Sequence, residues 1–180
     1  MRYIVLCVML ILLSVHSAVA FTDAQYTTIG TDINSIANAG VLASAIASRD
    51  DSTIADFYNQ LASPTVTLWI PRVTRNALIN AVVASEFVTL TVNQQNTWFV
   101  LMQADIIDAT QARVRTNFST LFSTLGPTTL TNLTAAAQRS ATRLEALFVT
   151  VAGSANVSSV YGQVLTARDV AHSLRGVPVK

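Results

Sequence analysis

The chain has one cysteine, Cys7, so it forms no internal disulfide, and beyond position 7 it offers neither a thiolate nucleophile nor a cysteine-ligated metal. Charge is scarce: Asp, Glu, Lys and Arg make up 12% of 180 residues, against roughly a quarter in ordinary domains. The net charge of +1 leaves no basic patch from which nucleic-acid binding starts. Histidine is nearly absent. Past residue 20 only His172 remains, whereas a zinc site needs three or four nitrogen or sulfur ligands. Glu86 and Glu145 are the only glutamates and lie far apart in sequence. The chain also lacks a G-x-S-x-G elbow, a glycine-rich phosphate loop and the D-x-D-x-D-G calcium pattern. Asp169 precedes His172 by three residues, the spacing of a solvated pair on one helix face, with no nucleophile to serve. The inventory thus points to no catalytic, metal-binding or cofactor-binding residue. A hydrolase built on two carboxylates is the sole enzymatic alternative left.

The first twenty residues, MRYIVLCVMLILLSVHSAVA, do carry a signal. Arg2 precedes an apolar run from Tyr3 to Leu13 and then the triplet Ala18-Val19-Ala20. This is the n-region, h-region and A-x-A site of an export signal, with cleavage expected between Ala20 and Phe21. The apolar run is shorter than the roughly 20 residues that span a bilayer. Residues 1–20 therefore read as a signal peptide, and 21–180 as one helical domain. Arg2 would leave with the signal, so ten basic side chains face ten acidic ones in the remainder. If the segment is retained, it is the one part of the chain suited to a membrane.

Periodicity predicts an all-α fold of six to eight helices with one short extended segment at 64–71. Tyr26, Ile29, Ile33 and Ile36 form a helical stripe within 22–48, broken near Asn38-Ala39-Gly40. Asp51 or Ser52 caps the next helix, and Ser63-Pro64 ends it. Val66, Leu68 and Ile70 then alternate with polar and aromatic neighbours, the period of a strand. Thr74 caps a further helix, and others follow near 85–90 and 92–104, the latter with Trp98, Phe99 and Met102 inward. Asp108 is expected to cap a helix bearing Val114, Phe118, Leu121, Phe122 and Leu125, which Gly126-Pro127 stops. A long helix over 131–148 would place Leu133, Ala137, Ala141, Leu144 and Phe148 on one stripe. A polar loop over 150–159 leads to a last helix capped by Thr166. Phe118, Leu121, Phe122, Leu133, Leu144 and Phe148 are expected in a single core.

Three residues stand out for contact with partners. Trp69 lies in the proline-flanked extended segment, and tryptophan is enriched at binding hot spots. Arg139 and Arg143, four apart in the expected long helix, would repel each other. Each therefore calls for a partner of its own, with Asp105, Asp108 and Glu145 as candidates in the chain. The three sequons at Asn117, Asn132 and Asn156 are what chance supplies at this composition.

Four stretches resemble a family of small helical proteins encoded by tailed bacteriophages and prophages. They are IADFYNQLASPTVTLWIPRVTRNALINAV, DATQARVRTNFSTLF, AAAQRSATRLEALF and GQVLTARDVAHSL. Their order along the chain, rather than any one of them, carries the resemblance. It implies no activity or cofactor. It implies a virion or virion-associated structural protein that binds other particle proteins or copies of itself. The export signal favours an alternative, an envelope protein acting in superinfection exclusion or at the host surface, located in the periplasm or cell envelope.

Overall fold

The structure, a computed structural model, describes residues 20–38, 40–152 and 155–176. The expectations for 1–19, Ala18 and the apolar run among them, lie outside the described residues. Helix α1 (Asp23–Asn38) begins with a capping box: the Gln25 amide donates to the Thr22 hydroxyl at 3.3 Å and the Thr22 amide to Gln25 Oε1 at 2.8 Å. Its expected stripe turns inward, with Tyr26, Ile29 and Ile33 buried. Helix α2 (Ala43–Ser48) ends at Arg49, whose φ of 55° lies in the left-handed region. Asp50, one residue before the expected caps, starts α3 (Asp51–Asn59) by accepting the Thr53 amide at 3.1 Å. The Thr53 hydroxyl adds the largest effect, and Asp50 is held down to a pKa of about 2.

The extended segment is confirmed as β1 (Thr67–Trp69), followed by β2 (Val73–Thr74) and, capped by Thr74, α4 (Arg75–Ala81). Helix α5 (Ala84–Phe87) contains Glu86, and α6 (Val92–Leu101) opens on a Thr91–Gln94 capping box. Strand β3 (Ile106–Ile107) pairs antiparallel with β2. Helix α7 (Ala112–Phe122) has Gln111, not Asp108, at its N-cap position, and no side chain caps its amides. Asp108 instead closes a local turn, accepting the Thr110 amide at 3.0 Å. The helix stops before Leu125, which is 41% exposed. Helix α8 (Pro127–Ala136) starts on a proline at its first turn, where no intrahelical N–H is needed. Its N-terminal amides find a distant partner: Thr128 and Thr129 donate to Glu86 at 3.1 and 2.7 Å.

The expected helix over 131–148 is three elements. The chain leaves α8 at Ala137 and forms β4 (Gln138–Ser140), which pairs antiparallel with β1. It then re-enters a helix, α9 (Arg143–Leu147), through a Thr142–Glu145 capping box. A helical stripe persists in the sequence because Leu133, Ala137, Ala141 and Leu144 are all fully buried, but they are buried from different elements. The expected polar loop over 150–159 is a hairpin of β5 (Val149–Ala152) and β6 (Ala155–Ser158). Helix α10 (Ala167–Arg175) is capped by Thr166 as expected and ends at Gly176, with φ at 65°.

The architecture is therefore mostly helical but not purely so: ten helices, more than expected, and three two-stranded antiparallel sheets among the described residues. Two apolar cores replace the single one expected. Ile29, Ile33, Ile54, Tyr58, Leu144 and Val170 anchor the first, with Phe148 packed against it. Leu78, Trp98, Phe118, Leu121, Phe122 and Leu133 anchor the second. The β1–β4 pair runs between residues of both, since α8 and α9 flank β4. Phe99 faces out at 57% exposure while Trp98 and Met102 face in. One residue step is a rotation of about 100° on a helix, which separates neighbours that hydrophobicity alone groups together.

Candidate functional site

Arg139, placed on β4, reaches six residues ahead to Glu145 in a two-point pair. Its Nη1 donates to Oε2 at 2.8 Å and its Nη2 to Oε1 at 2.5 Å. Glu145 is 1% exposed and also accepts the amides of Thr142 at 2.9 Å and Gly162 at 2.6 Å. Burial pushes its carboxyl up, but the Arg139 hydrogen bonds and the two amides outweigh that and hold it below the usual range. Arg139 Nε donates to the Tyr161 hydroxyl at 3.0 Å, and Nη1 to the Ser140 carbonyl at 2.9 Å. This guanidinium is used up inside the fold. It does not share a helix face with Arg143, because a strand and a turn intervene.

Arg143 is different. Its backbone is pinned, with the amide donating to the Gln60 carbonyl at 2.8 Å, and its guanidinium carbon lies 4.2 Å from the centre of the Phe57 ring. The Nε is buried with no hydrogen-bond partner. Ion pairs join Arg75 to Asp105, Arg139 to Glu145 and Arg175 to Asp51. Arg143 lines a cavity of about 250 Å³ with Ile36, Phe57, Pro64, Leu147 and Asp32. Asp32 Oδ2 accepts the Tyr58 hydroxyl at 2.5 Å. Burial first, and then this carboxylate, raise the Tyr58 pKa above the ordinary tyrosine range.

Trp69 is half-buried against the second core, and the Arg115 guanidinium lies 5.5 Å from its ring centre. The exposed apolar surface is elsewhere. Val88, Val92, Phe99 and Val100 are 57–72% exposed, and no charged residue occurs from Phe87 to Ala104. Phe99 stacks edge-on against Phe87 at 5.8 Å. Beside this face, Val100, Ile106 and Asn117 help to line a groove of about 600 Å³ between α6 and α7. Sequence periodicity missed it because α6 is apolar on two sides. The sign that was present is the run of 18 uncharged residues, in which no charge separates Val88, Val92, Phe99 and Val100 from a covering surface.

Asp169 and His172 are not a solvated pair. Asp169 is 8% exposed, accepts the Tyr26 hydroxyl at 2.8 Å and takes the Thr166 amide at 2.9 Å, while the His172 ring lies 4.2 Å from that of Tyr26. Helix α1 packs over α10 and closes this spot off. Among the described residues no three His, Cys, Asp or Glu side chains gather to hold a metal ion. No described helix is long and apolar enough to cross a membrane. Compared with family models, curated proteins and solved structures, the chain finds no match in any of the three.

Proposed function

We propose that this protein is a non-enzymatic structural or assembly component of a phage particle, working through contacts with other particle subunits or copies of itself. The observation that carries this reading is the uncharged apolar surface of α6 and the turn that precedes it. Four large apolar side chains exposed together, Val92, Phe99 and Val100 on α6 and Val88 in the turn before it, beside a groove, are costly in water and useful only when covered. The resemblance of the four ordered motifs to tailed-phage proteins supplies the setting. Mass spectrometry of purified particles tests it: peptides from residues 21–180 at stoichiometric levels are expected, and their absence would refute it.

A second reading, an exported envelope protein, rests on the charged start, apolar run and A-x-A triplet of residues 1–20. Ala20 is exposed, whereas Phe21 is 8% exposed and meets the Tyr26 ring edge-on at 5.6 Å. A cut after Ala20 would leave every one of these contacts in the mature chain. Cell fractionation with N-terminal sequencing decides it: a periplasmic product starting at Phe21 supports export, and an intact Met1 opposes it.

A further inference from the structure

We infer that the cavity around Arg143 is a binding site for a carboxylate attached to a short apolar body, about the size of one amino-acid residue. Buried donors are almost always paired in native proteins, and Arg143 Nε is buried without a partner. The neighbouring Arg139 shows what this fold does with a guanidinium required for structure: it meets a carboxylate at two points. Arg143 lacks that carboxylate, and its guanidinium carbon instead sits 4.2 Å from the centre of the Phe57 ring, beside a cavity. A planar guanidinium held by an aromatic ring is preorganised for the fork-shaped recognition of a carboxylate. The remaining walls, Ile36, Pro64 and Leu147, are apolar and suit an aliphatic side chain.

Size and charge narrow the ligand. At about 250 Å³, the cavity falls below the roughly 300–1,000 Å³ of sites for drug-sized molecules. Asp32 also lines it, with one oxygen engaged by Tyr58 and an acceptor left for an N–H on the ligand. Carboxylate, apolar side chain and N–H together describe either a free amino acid or the last residue of a peptide. A second cavity of about 360 Å³ continues along α1, sharing Asp32 and Leu147 with the first. It gives the chain preceding a C-terminal residue somewhere to run. The site stands on the first core, away from the apolar face of α6, so its test does not depend on the assembly reading.

The test is calorimetric titration of the full-length protein with leucine, N-acetyl-leucine, N-acetyl-leucinamide and a hexapeptide ending in leucine, the last with a free or an amidated C-terminus. Probes with a free carboxylate should bind at least about tenfold more tightly than their amides, a difference of about 1.4 kcal/mol. Arg143→Met should abolish that preference, and Arg143→Lys should restore part of it. The amide comparison uses the unaltered protein, so it stands even if a variant folds poorly. A peptide that binds more tightly than free leucine identifies a protein C-terminus as the ligand, and the reverse identifies a free amino acid. Equal affinity for acid and amide, an unchanged preference in a folded Arg143→Met, or no binding of any probe at about 10 mM would overturn the proposal.

Discussion

Glu145, 1% exposed on α9, receives both Nη groups of Arg139 from β4, six residues earlier. The pair ties the strand that contacts β1 to the capping box that restarts the helix. Removing one partner of a buried pair strands the other, at a cost of about 3–5 kcal/mol. Glu145→Ala should fall in that range by urea denaturation. Arg139→Met should cost at least as much, because it strands the Glu145 carboxylate at 1% exposure, whereas the Arg139 side chain left by Glu145→Ala is 33% exposed and reaches water. The double variant should cost less than the two single effects combined; strict additivity would show that the pair contributes nothing of its own.

The same carboxylate gives a pH dependence. Its folded pKa lies below the ordinary 4.5, so its contribution is complete above pH 4.5 and declines as the pH falls toward the lower folded value. The stability gap between the natural chain and Glu145→Gln should therefore narrow on acidification. A gap that widens in acid would contradict the assignment.

Glu86 staples α5 to the start of α8. The hydrogen bond to Thr129 is the largest cause of a pKa lowered to about 2 from 4.5, so the staple is complete above pH 4.5 and is lost as the pH falls toward 2. In Glu86→Ala the amides of Thr128 and Thr129 should exchange with deuterium at least about tenfold faster at neutral pH. Unchanged protection there would show that water replaces the carboxylate without loss.

Tyr26 should titrate late. Burial first, and then Asp169, push it up to about 12 from 10.0. A raised pKa means the folded state holds the proton, so this contribution is present below pH 10 and is lost as the pH rises to 12. The ultraviolet difference between the natural chain and Tyr26→Phe should show the phenolate appearing near pH 12. Its appearance near pH 10 would show that Tyr26 is neither shielded from water nor held by Asp169.

Gly30 fixes the crossing of α1 and α10. A Cβ there would sit 2.5 Å from the Ser173 carbonyl oxygen, part of the backbone. Gly30→Ala gains helix propensity of about 1 kcal/mol but should still destabilise the protein on balance, because overpacking costs about 1–3 kcal/mol. A more stable Gly30→Ala would show that the two helices have room to separate.

The sequence conveyed the fold wherever a local rule acted alone. The Thr74 and Thr166 caps, the α1 stripe and the extended segment around Leu68 are set by neighbours a few residues away. It misled where a distant strand competed with local propensity. Over 131–148 the alanines and Leu133 and Leu144 keep a helical period, but β1 takes up the backbone of Gln138–Ser140 and breaks the helix. The threonine of Thr142-x-x-Glu145 was the visible sign of a new start. Arg143 stood out from sequence, but its surroundings did not. Asp32 and Phe57 reach it from two other helices, and no spacing encodes that meeting.

Assembly into a particle would require the apolar face of α6 to be covered, and one measurement tests that directly. Particles would be purified from cells expressing either the natural chain or Phe99→Glu combined with Val100→Glu, and peptides from residues 21–180 quantified in each. Both positions are well exposed, at 57% and 65%, so the double variant should fold and reach normal cellular levels. The prediction is that the natural chain is particle-bound and the variant is depleted by at least about tenfold, as two charges placed in an apolar contact would require. Equal amounts of both in the particle, or neither chain there at all, would contradict the account.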